Sequence, residues 1–329
     1  MDELDRLTGL AAELGANIRL VQGAGGNVSL KDSANLWVKA SGTWLADAHK
    51  RPIFVRLDLL AVRSTLAAGS DDFSGAIKDQ SGLRPSIETS LHALMAQRVV
   101  VHVHSINALS WAVRHDGKSV IEEKLAGLEW AWVDYVRPGL PLTRAVRNAL
   151  AMTPEAAVLV LANHGLVVAA DTVEEVRDLL LEVERRLHQP GKMSDMELPS
   201  TTFSVPVGCR LPVNGYTNRL AGQDYIGLLK GALYPDHVVF LGEAIPVLAT
   251  AQETEMAERA NIHPYCVALA GKGMVLGEKF SAGSEAMLEC LALLAPLLPE
   301  RDRLRFLAEA EMAELLNWDA EKVRQKANL

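Results

Sequence analysis

Val99-Val-Val-His-Val-His-Ser105 is a run of β-branched residues broken by two histidines that stand two positions apart. In a strand, side chains two residues apart leave on the same face, so His102 and His104 project side by side while Val101 and Val103 point the other way. On a helix they would diverge. Val99, Val100 and Val101 predict that the strand is buried, and burying an imidazole without a partner costs roughly 2 kcal/mol or more. A shared metal ion meets that need; the plainer alternative is an exposed face with two solvent-facing histidines. A third histidine stands in Leu161-Ala-Asn-His-Gly165, a tight turn between the apolar runs 156–162 and 166–170. Three histidines from two strand ends would form a catalytic-type metal site with an open coordination position, because a closed structural site normally takes a fourth protein ligand. Taken plainly, His164 is a turn residue.

Outward from these strands, the pattern alternates between sheet and helix. A charged amphipathic helix is predicted from Val173 to about His188. Upstream, Arg84-Pro85-Ser86 marks a helix start, with Ser86 capping a helix over Ile87 to Gln97. Glu88 lies in its first turn, where the helix dipole favours a carboxylate. Beside a metal, the same carboxylate could exchange a proton with a carbon next to a polarised carbonyl. His92, one turn on, reads as a structural or supporting residue. Leu20 to Leu30 carries Gly23, Gly25 and Gly26 before Asn27, a glycine turn leading into a strand, and Leu36 to Ala40 is a further strand ending at Ser41-Gly42-Thr43. Together, Gly25, Gly26, Asn27, Ser41, Gly42 and Ser86 supply backbone N–H groups and small hydroxyls that could cradle a phosphate or carboxylate.

The 329 residues suffice for two domains. The stretch Gln189 to Gly208 loses periodicity and is the linker expected between residues 1–195 and residues 206–329. The formal net charge of −8, with no Lys/Arg cluster, lacks the footprint of a nucleic-acid or anionic-membrane binder. Cys209, Cys266 and Cys290 are too widely spaced for a disulfide framework or a C-x-x-C site and fit a reducing cytoplasm. The first residues read as an amphipathic helix with Leu4, Leu7, Leu10 and Leu14 on one face rather than a signal peptide, and no apolar run approaches a membrane span. Leu269-Ala-Gly-Lys-Gly-Met-Val-Leu-Gly277 echoes Leu161-Ala-Asn-His-Gly-Leu-Val-Val-Ala169, each followed by a helix, the later one from about Gly283 to Leu298. Lys272 stands where His164 stands in the first copy.

Gly23 to Ser29, Ala40-Ser-Gly-Thr43, Pro85-Ser-Ile-Glu88, Val101-His-Val-His104 and Leu161-Ala-Asn-His-Gly165 occur in one order over Leu4 to His188. This ordered set resembles the class II aldolase and adducin family, whose metal-dependent members include L-fuculose-phosphate and rhamnulose-phosphate aldolases. The resemblance implies a three-layer α/β/α fold, followed here by a smaller α/β domain. It also implies Zn2+ on His102, His104 and His164, and Glu88 as the residue that exchanges protons at carbon. Tyr135, in Tyr135-Val-Arg-Pro-Gly139, matches the region where family aldolases carry a tyrosine that donates a proton in a neighbouring subunit's site. By the same analogy the chain forms a homo-oligomer, a tetramer. Ile87 stands where aldolases of phosphorylated ketoses tend to carry a second small hydroxyl, which removes one phosphate contact. Glu88 stands where related ribulose-phosphate epimerases carry Asp, which favours an aldolase.

The second half, notably Tyr234-Pro-Asp-His-Val-Val-Phe-Leu-Gly242, resembles the middle region of bacterial proteins that join such an aldolase to a short-chain dehydrogenase. No glycine fingerprint of a dinucleotide-binding fold follows, so no nicotinamide cofactor is expected. The leading expectation is therefore a metal-dependent lyase that cleaves a ketose or ketose 1-phosphate through a metal-stabilised enediolate. Decarboxylation or dehydration of a sugar acid or sugar phosphate would use the same site. A non-catalytic adducin-like interaction module is the alternative without chemistry, against which the three histidines and Glu88 argue.

Overall fold

The computed structural model describes residues 2–191, 205, 207–249, 266–319 and 321, so the expected linker lies largely outside the described residues. The chain forms two compact units: 1–112 with 116–188, and 113–115 with 189–329. The first unit is a seven-stranded sheet between two helical layers. Its strands are β1 (Asn27–Lys31), β2 (Asn35–Lys39), β3 (Phe54–Asp58), β4 (Val99–Val103), β5 (Trp130–Val133), β6 (Val158–Leu161) and β7 (Gly165–Ala170). They lie in the order β3-β2-β1-β4-β7-β6-β5, antiparallel throughout except for β5 beside β6.

Strand alternation divides the valines as expected. Val99, Val101 and Val103 join Val158, Val160, Leu166 and Val168 in one core with α1 (Glu3–Ala16), α4 (Ile106–Ala112), α5 (Gly117–Lys124) and α7 (Val173–Leu187). Val100, Leu159, Leu161, Val167 and Ala169 pack on the opposite face against α3 (Thr89–Leu94) and α6 (Leu140–Met152). Beyond them, Leu36, Val38, Val55 and Leu57 meet α2 (Leu59–Ala67). His102 and His104 share the parity of Val100 and so face the α3 side.

The predicted helix over Ile87 to Gln97 is shorter at both ends. Residues 87 and 88 form a turn, the Ser86 hydroxyl accepts the Glu88 N–H, and Glu88 is the cap of α3. At the other end the Lys31 ammonium of β1 takes the carbonyls of His92 and Met95, which meets groups that another helical turn would have used. The long glycine segment also starts its strand late, because Gly23 and Gly26 hold positive φ of 56° and 64° and keep the chain turning until Asn27.

The second unit holds a four-stranded sheet in the order β8-β11-β10-β9, with β8 Cys209–Arg210, β9 Val247–Leu248, β10 Cys266–Leu269 and β11 Gly273–Gly277. Short helical turns span Gly215–Ala221 and Ile226–Lys230, and its described residues also form α8 (Pro235–Leu241), α9 (Ala282–Leu294) and α10 (Glu309–Leu316). Among the described residues no helix is long and apolar enough to cross a membrane.

Candidate metal and catalytic centre

His102 sits in β4 and His104 one residue past its end, so strand alternation delivers both rings to one face. His164 arrives from the β6–β7 turn. That turn is tight because Asn163 takes a left-handed φ of 52°, a conformation Asn tolerates, while the His164 N–H bonds Leu161 O at 3.1 Å. The ring centroids are 5.0 Å apart for His102 and His104, 5.0 Å for His102 and His164, and 5.4 Å for His104 and His164. One nitrogen from each ring can be chosen so that all three lie within 4.8 Å of one another, and all three residues are buried. The His102 Nδ1 lies 3.1 Å from Leu166 O, an acceptor; a proton on Nδ1 puts the ring's lone pair on Nε2. Three such donors suit a divalent transition metal with an open position.

Backbone packs closely behind the rings. A Cβ on Gly165 would meet Val103 O at 2.5 Å and the rings of His102 and His104 at 3.2 and 3.3 Å. A Cβ on Gly25 would meet His104 Nδ1 at 2.9 Å, and one on Gly26 would meet His102 O at 3.0 Å. The glycines of the first turn are thus pressed against the histidine strand, and Asn27 is the β1 residue paired with His102.

Glu88 faces the same cluster, 3.4 Å from His164 Nε2 and 3.6 Å from His102 Nε2, and accepts a 2.7 Å hydrogen bond from Asn27 Nδ2. Burial by itself raises its carboxyl, but attraction to the His102, His164 and His104 rings outweighs it and brings the pKa down to about 2. Glu88 therefore rests as a carboxylate. His92 is fully buried behind it, its Nδ1 2.7 Å from the Ser29 hydroxyl; burial lowers its pKa to about 3 and keeps it neutral.

Ser41, Gly42 and Ser86 lie on adjoining segments. Ala40 bridges Pro85, Ser41 N–H donates to Arg84 O and Ser86 N–H to Lys39 O. Sequence reading missed Lys39, whose buried ammonium joins this edge to the glycine turn by donating to Thr43 O at 2.7 Å and Ala24 O at 2.9 Å. A lysine at an inward position of a buried strand was the signal available. Glu184 of α7 was missed as well. It accepts from the Ser105 hydroxyl and from Asn107 Nδ2, fixing the turn directly after His104. Its pKa is raised, chiefly by burial. Gln22 completes that turn by donating to the His104 carbonyl at 3.4 Å.

Tyr135 lies half-buried two residues past the end of β5, whose last residue Val133 pairs with Leu161 at the end of β6, ahead of the His164 turn.

Known proteins resemble parts of this chain. A Bacillus subtilis (strain 168) protein named uncharacterized oxidoreductase YuxG is 31% identical over 177 residues, covering 49% of this chain and 25% of that protein. The chain therefore spans about a quarter of that relative's length. The N-terminal class II aldolase domain of a conserved protein from Thermoplasma acidophilum aligns with a TM-score of 0.49 at 24% identity, over 56% of this chain and 92% of that one. A solved L-fuculose 1-phosphate aldolase aligns with a TM-score of 0.42 at 19% identity, over 56% and 83%. Residues 7–189 match the profile of the class II aldolase and adducin N-terminal domain, more than half of the sequence, and the chain belongs to that family.

Proposed function

We propose that the chain is a metal-dependent lyase of the aldolase type, cleaving a ketose or ketose 1-phosphate with Zn2+ or another divalent transition metal on His102, His104 and His164. The observation that carries this reading is the convergence of three buried imidazoles on one point with a carboxylate 3.4 to 3.6 Å from two of them. An interaction module has no use for such an arrangement. A divalent ion held there supplies polarisation of a carbonyl oxygen and a counter-charge as a carbon–carbon bond breaks.

The chain's own residues do the rest. Glu88 is a carboxylate at rest, the form that takes a proton from carbon in the condensation direction and returns it in cleavage. Asn27 fixes its orientation through the 2.7 Å hydrogen bond. Gly25, Gly26, Ser41, Gly42 and Ser86 line the edge that receives the phosphate or carboxylate end of the substrate, and Lys39 holds the two turns of that edge together. Tyr135 serves the aldehyde oxygen in the site of a neighbouring subunit of a homo-oligomer.

The test is metal identification on protein purified without added metal, joined to a screen of ketose phosphates, free ketoses and sugar acids in which aldehyde and carbon dioxide are scored separately. Stoichiometric transition metal with aldehyde release is the expected result. Carbon dioxide or water loss without aldehyde replaces the aldolase by a decarboxylase or dehydratase, and absence of both metal and turnover removes the enzyme reading.

A further inference from the structure

We propose that the second unit is a degenerate copy of the metal-carrying half of the first, with Asn218 standing against the glycine that there backs the imidazoles, so that the described residues of the second unit are scaffold without a metal centre of their own. The proposal builds on the metal reading of the three histidines, but its own basis is a register match that sequence similarity alone hardly suggests.

The strand order β9-β10-β11-β8 repeats β5-β6-β7-β4 with the same directions, parallel for the first pair and antiparallel for the others. The hairpin ladders coincide residue for residue: Leu161 pairs with Gly165 and Val158 with Val168, as Leu269 pairs with Gly273 and Cys266 with Leu276. The neighbouring parallel strand meets each hairpin at the same point, with Val133 opposite Leu161 and Leu248 opposite Leu269. The Ala162 and Ala270 N–H groups then donate to Val133 O and Leu248 O, both at 2.9 Å.

Both turns have a left-handed third residue, Asn163 at φ 52° and Gly271 at φ 67°. In each, that residue's N–H donates to the last carbonyl of a seven-residue helical segment, Ala112 O of α4 at 3.0 Å and Ala221 O of Gly215–Ala221 at 2.8 Å. The residue just before each segment is held by a glutamate of the helix that follows the hairpin, Ser105 by Glu184 and Asn214 by Glu289. That helix is capped alike, by Thr172 on Glu175 N–H and by Ser281 on Ser284 N–H. A turn pattern can recur by chance. Here the hairpin register, the parallel pairing, the turn's bond to the preceding helical segment, the glutamate that holds the start of that segment and the cap of the following helix recur together.

The same register locates the metal positions. Val101 opposite Val168 corresponds to Arg210 opposite Leu276, which puts Leu211 and Val213 in the places of His102 and His104, and Lys272 in that of His164. None of these three is a metal ligand, and among the described residues the three histidines are the one cluster suited to an ion. The strand has also withdrawn: Pro212, at the place of Val103, has no N–H for the ladder. Asn218 enters instead. Its Oδ1 accepts the Met274 N–H at 2.9 Å and lies 2.8 Å from where a Gly273 Cβ would stand, as Val103 O lies 2.5 Å from the corresponding point on Gly165, with the rings of His102 and His104 beyond it at 3.2 and 3.3 Å.

The test uses the full chain, stripped of metal and titrated with Co2+, with hydrogen exchange followed by fragment mass spectrometry. One equivalent per chain is expected, with new protection at 99–105 and 161–167 and none at 266–277. A second equivalent that survives in the His102→Ala/His164→Ala variant, or ion-dependent protection at 266–277, overturns the proposal. Gly165→Ala is expected to weaken Co2+ binding about ten-fold or more, since it displaces the ligand rings. At the matching position, Gly273→Ala should leave binding unchanged and speed exchange across 266–277 about ten-fold, the equivalent of one broken hydrogen bond. Asn218→Ala, which adds no atoms, should speed exchange in the same segment. Unchanged exchange in both variants overturns the role of Asn218 and with it the copy. If the chain takes up no Co2+ at all, the metal reading of the first unit falls separately, and these two variants still judge the second.

Discussion

At the scale of single residues the site joins three imidazoles to one buried carboxylate. Burial alone would favour the neutral acid, and it is the attraction of the facing rings that brings the Glu88 pKa down to about 2. Replacing Glu88 by Gln keeps the shape and an oxygen for the Asn27 amide but removes the charge and the exchangeable proton. Glu88→Gln is therefore expected to retain full metal content while kcat drops about 10²- to 10⁴-fold, the range for loss of a positioned acid–base group. Steady-state kinetics beside metal analysis of the same preparation check this, and undiminished turnover would remove Glu88 from the chemistry. Removal of a histidine should behave differently, because it takes away metal and activity together.

At the scale of elements, most of what mattered was written in short segments. The parity of Val99 to Val103 located the face that carries the histidines, and the glycines before Asn27 marked the turn that leads into β1. What could not be read locally was set by side chains reaching across the sheet. The C-terminal limit of α3 depends on Lys31, 61 positions before His92. The firmness of the His104 turn depends on Glu184, 79 positions after Ser105. The pairing of β1 with β4, which brings Asn27 beside His102, joins segments whose patterns say nothing of each other. Both long-range contacts give predictions. Burial, aided by Arg63, lowers the Lys31 pKa from 10.5 to about 7. Between those values the unfolded chain binds more protons than the folded one, so this residue's contribution to stability rises with pH from about 7 to about 10.5. Urea midpoints compared at pH 7 and pH 9 should show wild type gaining on Lys31→Met as pH rises, and a constant gap would refute the burial account. Glu184→Ala leaves Ser105 and Asn107 without their acceptor, and a loss of about 2 kcal/mol is expected in equilibrium unfolding.

At the scale of the whole molecule the proposed function turns on Tyr135, two residues past the end of β5. On the proposed reading the tyrosine acts across a subunit boundary, and the active unit is then an oligomer in which each site is completed by a neighbour. This separates two defects genetically. Glu88→Gln and Tyr135→Phe damage different chains of one shared site, so mixed oligomers contain some sites built from an intact Glu88 on one chain and an intact Tyr135 on the next. Co-expression of the two variants with distinct tags, followed by tandem purification of mixed oligomers, is expected to recover activity that neither parent has alone. Mixing the separately purified parents without subunit exchange should recover none. Failure of the co-expressed oligomers to regain turnover would return Tyr135 to an ordinary half-buried role and leave each chain's centre to work with the residues around its own histidines.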